Sequence, residues 1–135
     1  MAEELRSQIC VWLAERRVAV LSAAGPEGVW TIPVHCRAEG MCVACLLPRW
    51  ADALFYLEQD PHARLVMMEA GAAGALRWLL LSGEATPLPA PDWSDWFPTP
   101  TPGSAALYQV VRLIPTRIEW VDESQGWGAR VTLDV

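Results

Sequence analysis

The stretch from Val29 to Leu47 constrains the fold most, because it holds two strands of opposite character joined by a tight turn. From Val29 to Arg37 the side chains alternate, with Trp30, Ile32, Val34 and Cys36 on one face and Thr31, Pro33, His35 and Arg37 on the other. That period of two is the pattern of a strand with one buried face. After Glu39-Gly40, the run Met41 to Leu47 is apolar on both faces. An antiparallel strand normally leaves one face polar, so this one calls for a second covering layer, either a helix or another subunit, with a dimer partner the expected cover. The polar face of the first strand is an odd set for plain solvent. Pro33 removes a ladder donor and His35 is poised to titrate near neutrality, so a ligand is expected to dock there.

The rest of the chain supplies partners for these strands. Leu5, Ile9, Trp12 and Leu13 form an amphipathic stripe closed by Glu15-Arg16-Arg17, which predicts a first helix. Val18 to Ala23 reads as an apolar strand, and Gly25 to Gly28 as the turn that follows it. A second helix is predicted from Trp50, with Ala53, Leu54 and Leu57 on its buried side and Pro61 ending it after Asp60. Ala63 to Met68 and Leu76 to Ala85 read as a hairpin. Thr86 to Gly103 carries six of the eleven prolines, so it is expected to be a loop with at most one helical turn around Asp92 to Phe97, held down by Trp93, Trp96 and Phe97. Strands are predicted for Ala106 to Ile114, Arg117 to Val121 and Gly128 to Leu133, with a break or bulge at Pro115. Six or seven antiparallel strands with two flanking helices point to a small mainly β barrel, as one domain over residues 1–135.

Composition sets the outer limits. A chain of 135 residues buries roughly 68% of its unfolded surface, enough for one core. Hydrophobic residues at 53% and charged residues at 19% exclude an extended disordered chain, and no apolar run approaches the ~18 residues of a membrane span. Met1 to Arg6 lacks the basic patch and hydrophobic stretch of a secretory signal, so the cytoplasm is the expected compartment. The net charge of −6 opposes nucleic-acid binding. All ten basic side chains are arginine, so every cationic contact is a planar guanidinium and a side-chain Schiff base is excluded.

Cys42-Val43-Ala44-Cys45 has the spacing of a redox or zinc pair. On a strand, residues three apart point to opposite faces, so these thiols are expected to be separate, buried and reduced, and no metal site is expected.

The order of short motifs carries more information than any one of them. After the initial helix come Val18-Ala19-Val20-Leu21-Ser22, Thr31-Ile32-Pro33-Val34 and the helix ending Tyr56-Leu57-Glu58-Gln59-Asp60-Pro61. Trp78 to Ala85, Arg112 to Ile118 and Asp122 to Arg130 follow. Over most of its length this chain resembles the FMN-binding split-barrel proteins related to pyridoxamine 5′-phosphate oxidase. The resemblance implies a homodimer that binds FMN in two clefts between subunits and oxidises or reduces small molecules. It implies that Thr31, Pro33, Leu46 and Leu47 border the flavin ring and ribityl chain, with His35 on the same face. Arg49 would be the nearest cation for the phosphate, beside Trp50, and Trp127 and Arg130 would close the partner's cleft.

The chain departs from the family at one corner. Where the family usually has a Ser or Thr and a Lys for the phosphate, this sequence has Ala51 and Ala53. Two charge-assisted bonds of about 1.5–3 kcal/mol each are lost, which lowers affinity by roughly 10²–10⁴. Three readings stand: an FMN-dependent oxidoreductase; a binding module for another ligand, such as a deazaflavin, a haem or a vitamin B6 form; and a flavin-free dimer whose cleft is filled by bulky side chains such as Trp50 and Phe55. Arg77 and Arg112 are further cations that either face the cleft or meet solvent.

Overall fold

In the computed structural model, which describes residues 2–99 and 103–135, the elements follow in the order α1 (Ala2–Ala14), β1 (Val18–Gly25), β2 (Gly28–Glu39), β3 (Cys42–Pro48) and α2 (Asp52–Gln59). Then come β4 (His62–Glu69), β5 (Arg77–Pro87), a single 3-10 turn at Trp93–Asp95, α3 (Ser104–Leu107), β6 (Tyr108–Asp122) and β7 (Arg130–Asp134), with a second 3-10 turn at Glu123–Gln125 before β7. Every strand pairing is antiparallel, in the order β3-β2-β1-β4-β5-β6-β7. A further pairing of β3 with β6 closes six strands into a barrel and leaves β7 outside it. Closure removes the exposed strand edges that an open sheet of this size would present.

The alternation in the sequence decides which side chains fill the barrel. Ala19, Leu21 and Ala23 on β1 point inward with Val34 and Cys36 on β2, Leu65 and Met67 on β4, Leu79 and Leu81 on β5, and Leu113 and Ile118 on β6. From α1, Ile9, Trp12 and Leu13 join the same core, as the helical stripe predicts. From α2, Ala53 and Leu57 do so.

The break expected at Pro115 is a bulge. Gly83 faces Pro115 and Ser82 faces Arg117, so Thr116 is the extra residue on β6. The strands approach so closely there that a Cβ on Gly83 would lie 2.1 Å from the Ile114 carbonyl oxygen, which requires glycine.

Two expectations are corrected. Ala106 and Leu107 are helical in α3 and β6 begins at Tyr108. The reason is a long-range contact: the carbonyls of Ala105 and Leu107 accept hydrogen bonds from the Arg49 side chain and backbone. The second concerns the cover on β3. Val43, Cys45 and Leu47 point into the barrel, while Ala44 and Leu46 on the outer face are covered by the chain's own proline-rich segment. Leu88, Trp93, Trp96, Phe97 and Tyr108 pack over Ala44, Leu46 and Val110. This strap is fixed by Asp92, which caps the Ser94 N–H at 3.0 Å, and by Arg37, which donates to the Asp95 carbonyl at 2.8 Å. The aromatic residues anticipated as pins are therefore pins, and what they pin is the second apolar face of β3.

Candidate functional site

On β2, Thr31, Pro33, His35 and Arg37 all point outward and are exposed. The Thr31 hydroxyl lies 3.3 Å from that of Ser22 on β1 and shares a hydrogen bond with it. His35 stands between Val18 on one side and Leu46 on the other. Together with Arg37, Trp96, Phe97 and Tyr108 it lines a cleft of about 330 Å³ at the edge of the strap. Leu46, 5% exposed, forms the floor of this cleft. Leu47 is fully buried and belongs to the barrel core, because successive strand residues face opposite ways. A ligand on the outer face meets Leu46 and not Leu47.

The corner after β3 is a separate cleft of about 400 Å³, lined by Arg49, Trp50, Ala51, Asp52, Phe55 and Glu58 among others. The Arg49 Nε donates to the Ala105 carbonyl at 2.7 Å. Among the described residues this is the only side-chain bond of Arg49, so its terminal nitrogens remain available. Trp50 at 77% and Phe55 at 59% exposure project outward and line this cleft.

The same corner does not fit a phosphate dianion. Ala53 is sealed in the core and Ala51, at the helix N-cap, makes no side-chain capping bond. Asp52 already places a carboxylate in the first turn of α2, where the helix dipole would otherwise favour an anion. Glu58 adds a second negative charge to the cleft against the single Arg49. One cation facing two carboxylates repels a dianion.

The other candidates lie elsewhere. Trp127, fully exposed, sits with Trp78, Val121 and Arg130 around a cleft of about 440 Å³. Arg130 pairs with Glu119 at 3.0 Å. These residues are at the end of β6 that pairs with β7, whereas the cleft under the strap is at the end that pairs with β3. Arg112 pairs with Glu39 at 3.1 Å. Arg77 pairs with Glu69, which also accepts from Arg16 at 3.2 Å and from the Trp12 indole at 3.3 Å. The Arg77 hydrogen bond holds the Glu69 carboxyl below its usual range, with Trp12 and Arg16 contributing. This cluster borders a larger cleft, about 1000 Å³ between α1 and the β6 end, but its charges are already matched to one another.

Sequence reasoning missed Tyr108 and did not assign Trp96 and Phe97 to a cleft wall. The available signal was the outward-facing Leu46, which needed a cover within reach of three aromatic residues. Among the described residues no group of His, Cys, Asp or Glu could hold a metal, and no helix is long and apolar enough to cross a membrane.

No protein-family model matches this chain, and no curated protein matches it. Solved structures do. A Clostridium acetobutylicum protein related to general stress protein 26 of B. subtilis, of the pyridoxinephosphate oxidase family, superposes with a TM-score of 0.72 at 10% identity, covering 100% of this chain and 97% of that one. The fold is the split barrel. A FAD-binding protein from Mesorhizobium loti shares it with a TM-score of 0.66 at 15% identity, over 87% of this chain and 92% of that one. So does a heme binding protein from Mycobacterium smegmatis, with a TM-score of 0.71 at 17% identity; it aligns to 96% of this chain, which spans 56% of its length. Split barrels at this distance share the backbone path, so what this one binds is read from its own side chains.

Proposed function

We propose that this protein binds a small molecule with a flat aromatic ring system of flavin type, held by the ring and not by a phosphate. The ring would lie on the outer face of β2 against Thr31, Pro33 and His35, with Leu46 as floor and Trp96 and Phe97 as wall. The observation that carries this reading is the contrast between that open, partly aromatic face and a phosphate corner made of Ala51, Asp52 and Ala53. A flavin, when bound, supplies electron or hydride transfer, while the protein binds, orients and excludes water. The residues here supply the binding surface, and no side chain among them is assigned as an acid or base.

The working form under this proposal is a homodimer. The outer row Val20, Val66 and Leu80, adjoined by Val18, Met68 and Trp78, is apolar; Val18 and Met68 are more than half exposed and the others partly so. Trp127 and Arg130 of a second copy would then be free to approach the β2 face.

A second reading, an FMN-dependent oxidoreductase, is favoured by Arg49 alone, whose terminal nitrogens are available for a bidentate phosphate contact. Desalting the purified protein after incubation with FMN, and recording its spectrum at the flavin bands and the haem Soret region, separates the two. The first reading expects FMN to wash out. Retained FMN that is lost in Arg49→Ala, with Kd weakened at least about tenfold, would establish the second.

A further inference from the structure

The sequence draws attention to Cys42 and Cys45, yet the strand register brings a different pair together. Cys36 on β2 and Cys45 on β3 are direct cross-strand partners, and both point into the barrel core. The Cys36 N–H donates to the Arg17 carbonyl on the β1 side at 2.8 Å. In an antiparallel ladder a residue turns its N–H and C=O toward the same neighbour, so Cys36 gives none to β3. The pair is therefore of the non-hydrogen-bonded kind, in which opposed Cα atoms lie about 4.5 Å apart. A disulfide spans Cα separations of about 4.4–6.8 Å. Both thiols are free in this structure and buried, with Cys36 1% and Cys45 0% exposed.

We propose that Cys36 and Cys45 are a reversible oxidation site that forms a cross-strand disulfide with a peroxide, fastening β2 to β3 beside the candidate ligand cleft. Cys36 is the first to react. Burial pushes its thiol up to about 11, and the Arg17 charge opposes that rise. Burial and the neighbouring Cys36 push Cys45 higher still. The Cys36 thiolate attacks one peroxide oxygen, the O–O bond breaks, and the departing hydroxide takes up a proton to leave as water. Cys36 is then a sulfenic acid. The Cys45 sulfur, losing its proton, attacks the Cys36 sulfur; the S–S bond forms, the S–O bond breaks and a second water leaves. Two thiols are oxidised and one peroxide is reduced, and a dithiol reverses the change by thiol–disulfide exchange. Because both groups are protonated near neutral pH, the site rests reduced and oxidises slowly.

The test is peroxide treatment of the whole reduced protein, followed by denaturation, alkylation of remaining thiols and tryptic mapping. Cleavage at Arg17, Arg37 and Arg49 places Cys36 and Cys45 on different peptides, so their disulfide appears as a cross-linked pair that dithiothreitol separates. The expected result is that pair, with Cys10 and Cys42 alkylated, and the same pair in Cys42→Ser. Four alkylated cysteines, a cross-link through Cys42 or Cys10, or Cys36 oxidised to sulfinic acid without a cross-link would each overturn the proposal. The reading uses the wild-type protein, so it does not depend on a core cysteine variant folding.

Discussion

Two parts of the barrel wall are apolar on the outside, and they have different fates. On β3, Ala44 and Leu46 are 4% and 5% exposed because the strap of Trp93, Trp96 and Phe97 lies over them. On β1, β4 and β5, the row through Val20, Val66 and Leu80 keeps partial exposure, and Val18 and Met68 beside it are more than half exposed. A strand that is apolar on both faces thus signals a second layer without saying whose it is. The proline-rich segment, which costs little ordering entropy because its φ angles are already fixed, suits an intramolecular cover.

The contrast is broken most severely at the covered face. Leu46→Asp places an unpaired charge under the strap and is expected to cost about 3–5 kcal/mol, measured by urea unfolding. Trp96→Ala removes a half-buried wall and should cost about 1–3 kcal/mol, with faster hydrogen exchange in β3. If either variant unfolds like wild type, the strap is not what seals β3. On the open face, Leu80→Asp is expected to change the unfolding free energy of the isolated chain by less than about 1 kcal/mol while abolishing self-association in sedimentation experiments. A wild-type protein that is monomeric at every concentration would refute the dimer proposed for that face. The smallest effect concerns the Glu69 cluster. Its folded carboxyl titrates below the ordinary value of 4.5, so its contribution is complete above that value and is lost as pH falls through the lowered one. Glu69→Gln should therefore flatten the acid limb by lowering stability slightly at neutral pH while leaving stability at low pH nearly unchanged.

Much of the fold was legible because alternation and turn chemistry are local. The β2 faces, the α1 stripe, the Pro115 irregularity and the aromatic turn after Asp92 all follow from spacing. The start of β6 was not legible, since Arg49 recruits the carbonyls of Ala105 and Leu107 from more than fifty positions away. The outward set Thr31, Pro33 and His35 could be read from period two, and the same rule, applied to neighbouring Leu46 and Leu47, assigns one to the surface and one to the core. The cysteine pair was hidden because Cys36 and Cys45 meet only through strand register.

The central claim is that the ring, and not a phosphate, is what this barrel holds. Titrating the desalted protein with riboflavin and with FMN, following quenching of flavin fluorescence, tests it most directly. The expected result is binding of both with dissociation constants within about tenfold, a difference of roughly 1.4 kcal/mol or less. FMN bound more than about a hundredfold tighter than riboflavin, or neither bound at all, would contradict it.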